Sequence, residues 1–96
     1  MKQDLSEGFE PVMLVETVRN QAPEFPSLVN ALMTCGPGDW ESRAYVWYVS
    51  GANPNQPGSE WQFETNVVLQ HEQLEMVVLD ILKGNRLGGI EFVDKI

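Results

Sequence analysis

The stretch from Leu74 to Asp94, LEMVVLDILKGNRLGGIEFVD, constrains the fold of this chain more than any other. It reads as a β-hairpin. Gly84-Asn85 supplies a two-residue loop, and glycine at the first central position accepts the positive φ that a type II′ turn demands. A turn there sets Leu82 opposite Leu87, Leu79 opposite Ile90 and Val77 opposite Phe92. Because side chains alternate along a strand, Val77, Leu79, Ile81, Ile90 and Phe92 then share one apolar face. Met76, Val78, Asp80, Leu82, Leu87, Gly89, Glu91 and Val93 fall on the other, mixed face. The same residues also fit a helix, since Leu74, Val77, Val78, Ile81 and Leu82 follow the i, i+3, i+4 spacing. β-Branched Val77, Val78 and Ile81 favour strands, and only the hairpin also accounts for 87–93.

Ahead of this hairpin the chain divides into two helical and two further extended segments. Pro11 suits the first position of a helix whose stripe is Val12, Leu14, Val15 and Val18. Ala22-Pro23-Glu24-Phe25-Pro26 interrupts it, because each proline lacks a donor and restricts its predecessor. A second helix follows, capped by Ser27, lined by Leu28, Val29, Leu32, Met33 and Cys35, and stopped by Gly36-Pro37-Gly38. Residues 43–50 are aromatic and β-branched, and residues 60–69 alternate, with Trp61, Phe63, Thr65, Val67 and Leu69 on one face. Between them, 51–59 concentrates Gly, Pro, Asn and Ser and reads as a loop. The expected architecture is a single α+β domain over 1–96. Two N-terminal helices pack on one face of a four-stranded antiparallel meander, a two-layer arrangement, with 1–8 disordered.

Composition narrows the function classes. Fourteen acids against six bases give a formal charge of −8, which repels phosphate backbones and anionic lipid and attracts cationic partners. Neither nucleic acid nor membrane is an expected partner. A single cysteine, Cys35, rules out an internal disulfide framework and fits a reducing compartment, so the expected location is the cytoplasm. No apolar run reaches the roughly 20 residues of a bilayer span.

Catalytic signals are weak. His71-Glu72-Gln73-Leu74-Glu75 has glutamate where HExxH has its second histidine, and the chain holds no other histidine, so no metal site is expected. Cys35-Gly36-Pro37-Gly38 lacks the second cysteine of a CGPC redox motif and falls at a helix C-terminus, where the dipole disfavours a thiolate. No spacing selects a serine to join His71, there is no GxSxG, P-loop or GxGxxG, and no cofactor is expected.

Aromatic residues say more. Tyr45, Trp47, Tyr48 and Trp61 lie on the two extended segments, and adjacent Trp47 and Tyr48 point to opposite faces of a strand while helices cover only one. The functional expectation is a non-catalytic, acidic interaction protein of the adaptor, inhibitor or chaperone type. It would dock a protein partner, basic in character, or a second copy of itself, through these four aromatics or through an open sheet edge. The alternative is a small-molecule-binding or enzymatic domain with a pocket near 51–59.

Overall fold

A computed structural model of the chain describes residues 9–95; the expectation for 1–8 lies outside them. It is an α+β fold of two helices on one face of an antiparallel sheet. A 3-10 turn at Pro11–Leu14 leads into α1 (Val15–Gln21), followed by α2 (Pro26–Thr34). The strands are β1 (Asp39–Ser42), β2 (Tyr45–Trp47), β3 (Phe63–His71), β4 (Glu75–Leu82) and β5 (Arg86–Phe92), with a last 3-10 turn at Val93–Lys95.

Sheet order is β1-β2-β5-β4-β3, which corrects the four-strand meander in two respects. The sheet has a fifth strand, β1, whose sequence Asp-Trp-Glu-Ser shows no apolar alternation because it is almost wholly exposed. More importantly, β2 pairs with β5, through Tyr45↔Glu91, Val46↔Ile90 and Trp47↔Gly89, and not with β3. Only β3, β4 and β5 form a meander. Residues 48–62 carry the chain from β2 to the opposite edge of the sheet, so β2 is an interior strand and the edges are β1 and β3.

The β4–β5 hairpin forms with Leu79↔Ile90 and Val77↔Phe92 in register. Its turn differs in detail: Leu82 pairs with Arg86, leaving a three-residue loop in which Gly84 (φ 83) and Asn85 (φ 60) both have positive φ. One residue is regained where the register slips past Gly88, so that Ile81 faces Leu87 and Asp80 faces Gly89. The bulge and the longer loop cancel beyond Gly88, where the apolar side chains reach the expected face, whereas Leu87, ahead of the bulge, joins the helix-side core instead of the mixed face. The β3–β4 turn has no glycine or asparagine to close it. Instead the His71 ring accepts, at Nδ1, the backbone N–H groups of Gln73 and Leu74, each at 3.1 Å, and Glu75 takes a φ of 62°. Those two bonds place the proton of a neutral His71 ring on Nε2.

Apolar burial joins the layers. Leu14, Val15, Val18, Ala22, Leu28 and Leu32 from the helical layer pack against Val46, Val67, Leu69, Val77, Leu79, Ile81, Leu87, Ile90 and Phe92 of the sheet. Each fully buried aliphatic side chain contributes about 1.5–3 kcal/mol relative to exposure. The helical stripes are narrower than their spacing predicts, for Val12 and Met33 stay exposed. Ser27 does not cap α2. Pro26 occupies its first turn, where a missing N–H costs nothing, and no side chain caps Phe25. Gly36, at φ 72°, ends the helix as expected. At the other edge Gln21 closes a two-point clamp on β3: its Nε2 donates to Gln70 O at 2.7 Å and its Oε1 accepts from Gln70 N at 2.8 Å. A side-chain amide thus stands in for a neighbouring strand over one residue of the edge.

Candidate functional site

The sheet face turned away from the helices holds three of the four expected aromatics. Side chains on this far face come from Tyr45 and Trp47 of β2, Gly89 and Glu91 of β5, Met76, Val78 and Asp80 of β4, and Asn66, Val68 and Gln70 of β3, by their alternation with the buried set. Tyr45 and Trp47 meet edge to face with centroids 4.7 Å apart, and Trp47 meets Trp61 likewise at 5.1 Å. Such edge contacts align the positive rim of one ring with the negative face of the next.

Trp61 reaches this cluster by an irregularity that alternation does not reveal. Trp61, Phe63, Thr65, Val67 and Leu69 are expected on one face, and Val67 and Leu69 do turn to the helices. Upstream, the β3–β4 register skips Glu64, between Phe63↔Leu82 and Thr65↔Ile81. Phe63 is left exposed and Trp61 packs on the far side, over Gly88 and Leu82. The loop after β2 is tied to the backbone at Trp61. Asn55 N donates to Trp61 O at 2.7 Å, Phe63 N to Asn55 Oδ1 at 2.9 Å, and Ser59 Oγ to Ala52 O at 2.7 Å, so 51–59 is bonded to itself and to the start of β3. The Trp61 side chain is buried, 8% exposed, between Gly88 and Trp47. Beside the loop, Asp39, Trp47, Tyr48, Val49, Ser50 and Gly51 line an open depression, which Trp61 does not reach.

Tyr48 is separate from the other three. It turns to the helix side, packs against the core and donates its hydroxyl to Phe9 O. Burial, and then the charges of Cys35 and Glu10, push its hydroxyl pKa up. Trp47 and Tyr48 do face opposite ways, but Tyr48 serves to fix the segment at Phe9.

Sequence reasoning did not bring out the polar partners of the cluster. Tyr45 Oη donates to Asp80 Oδ2 at 2.5 Å, and Asn66 Nδ2 donates to Asp80 Oδ1 at 2.6 Å. Burial, then the bond to Asp80, then the charges of Asp80, Glu41 and Glu91 raise the Tyr45 pKa, so the phenol keeps its proton and acts as donor. Asp80, the one acid within the apolar run of β4, was the available signal. Gly89 was another: a Cβ built there would lie 2.1 Å from Tyr45 Oη, so the ring lies across bare backbone to reach Asp80. Gly89→Ala must therefore lift the ring and break its bond, at about 1–3 kcal/mol. Urea unfolding of Gly89→Ala, Tyr45→Ala and the double variant checks this, with the glycine's cost expected to vanish once Tyr45 is trimmed.

No protein-family model, curated protein or solved structure matches this chain.

Other candidate chemistry does not assemble. His71 uses Nδ1 to close its turn, and among the described residues no group of three His, Cys, Asp or Glu side chains gathers for a metal. Cys35 caps the C-terminus of α2, where burial raises its thiol pKa and keeps it protonated. Ser42, Ser50 and Ser59 accept backbone N–H groups two residues on, at 3.1, 3.3 and 3.2 Å, and shape turns. Among the described residues no helix is long and apolar enough to cross a membrane.

Proposed function

We propose that this chain is a non-catalytic interaction domain that docks a protein partner on the far face of its sheet. What supports the reading is the uneven covering of that face. Trp61 is buried, yet beyond it Tyr45, Trp47 and Val78 are only partly covered and Val68 is 57% exposed. Apolar and aromatic surface left on one side of a two-layer fold is the usual substrate of protein recognition. An edge-on mode through the aromatic strand is disfavoured, because β2 is paired on both sides. The small-molecule reading has less support, since Trp61 is buried and lies outside the open depression beside the loop.

A photo-crosslinking residue at Val68, compared with one at Met33 on the exposed side of α2, tests the proposal in native lysate. Adducts of one defined mass from the Val68 position alone are expected. Adducts from Met33 alone, or a thermal-shift gain with a metabolite and no adduct at either position, would overturn it. A second copy as occupant would appear as a crosslinked dimer and as twice the monomer mass in light scattering.

A further inference from the structure

We propose that the docked partner presents an arginine, whose guanidinium stacks on the exposed part of the Tyr45 ring between the carboxylates of Asp80, Glu41 and Glu91. The inference rests on the interaction-domain reading and adds the chemistry of the partner. Tyr45 lies across Gly89 with one side of its ring on backbone, half-buried, and its hydroxyl held by Asp80. The hydroxyl therefore cannot swing toward a ligand. What remains to be offered is π surface, at a fixed height above the sheet.

Charge completes the case. Glu91 is the cross-strand partner of Tyr45, Asp80 holds its hydroxyl, and with Glu41 their charges raise its pKa. Both Asp80 oxygens are held by neutral donors, which orient the carboxylate without cancelling its charge. The described residues form two ion pairs, Arg19–Glu16 and Arg86–Glu60, and neither involves these three acids. An aromatic ring bordered by uncompensated carboxylates is complementary to a cation, and a planar guanidinium meets both at once. Its face stacks on the ring while its edge donates to carboxylate oxygens, a geometry a lysine ammonium cannot match. A bare metal ion is a poor occupant, since no three ligating side chains converge among the described residues. A small polyamine would leave exposed Val68 and half-covered Met76 and Val78, in the adjoining rows, without apolar contact. A peptide segment with apolar residues beside its arginine satisfies both parts of the face.

The test titrates the intact protein with a blocked pentapeptide alternating leucine and arginine, reading Trp47 through intrinsic fluorescence and the binding heat by calorimetry. Lysine and citrulline versions of the peptide serve as comparisons. Saturable binding to the arginine peptide is expected. The citrulline peptide, which keeps the shape and loses the charge, should bind about tenfold or more weakly, and about 0.5 M salt should weaken the arginine peptide. Glu41→Gln with Glu91→Gln, leaving the Tyr45–Asp80 bond intact, should lower its affinity by about tenfold. Equal binding of arginine and citrulline peptides, or no effect of the double variant, overturns the inference. The crosslink at Val68 separates the two levels. An adduct formed equally well by the double variant leaves the docking face standing and removes the arginine, whereas no Val68 adduct from the protein with both glutamates intact removes both.

Discussion

Phe92→Ala is expected to destabilise the protein by about 3–5 kcal/mol, the range for truncating a buried phenylalanine. Phe92 is 1% exposed and its ring meets Phe9 at 5.1 Å and Trp40 at 5.4 Å. Its backbone N–H also donates to Ala44 O at 2.7 Å, and its strand partner is Val77. One side chain thus closes the contact between the segment before the helices, the first pair of strands and the C-terminal hairpin. The loss is a large fraction of the roughly 5–15 kcal/mol that holds an ordinary domain together. Urea unfolding measures it, with Val68→Ala as the control. Val68 is 57% exposed, and its truncation should change stability by no more than about 0.5 kcal/mol. A Phe92→Ala cost as small as that of Val68→Ala would mean the three rings do not form a common core.

Trp61→Ala is expected to cost about as much, again some 3–5 kcal/mol, but with a different signature. Trp61 sits outside the helix-side core, over Gly88 and beside Leu82, with its backbone bonded to the loop that follows β2. Removing it opens a cavity over Gly88 beside Leu82 and loosens the backbone position to which Asn55 and Ser59 of the loop are bonded. Limited proteolysis should therefore cut first within 51–59, at protease levels that leave the wild-type protein and Phe92→Ala intact under native conditions. Cleavage that begins elsewhere, with 51–59 still protected, would show that the loop's own hydrogen bonds hold it and that the indole is incidental.

Much of the fold was legible because its decisive information is local. The β4–β5 hairpin follows from a glycine-asparagine turn and alternating apolar residues, and two helices follow from prolines, apolar spacing and Gly36. Four features were not legible, each for a physical reason. β1 has little buried side-chain surface, so it carries no alternation. The pairing of β2 with β5 is a long-range choice that no turn residue near either strand encodes, whereas the His71 turn, which lacks the usual residues, closes through an imidazole acceptor instead. Finally, the Glu64 bulge sends Trp61 to the face opposite the one that simple counting gives it. The candidate site was legible in the same proportion. Tyr45, Trp47 and Trp61 could be selected as aromatic residues, and Tyr48 with them, but only the register brings Asp80, Asn66 and Gly89 beneath Tyr45.

The placement of β2 beside β5 also dictates an order of assembly. Tyr45 and its neighbours find their partners more than forty residues downstream, at Gly89 to Glu91. During synthesis the first two strands emerge from the ribosome and have nothing to zip onto until the final strand arrives. The β3–β4–β5 unit, built from adjacent hairpins, can nucleate first, and the β1–β2 pair then docks as a block, a sequence that contact distance along the chain makes slow. The aromatic face is then completed last, once the framework beneath it has formed.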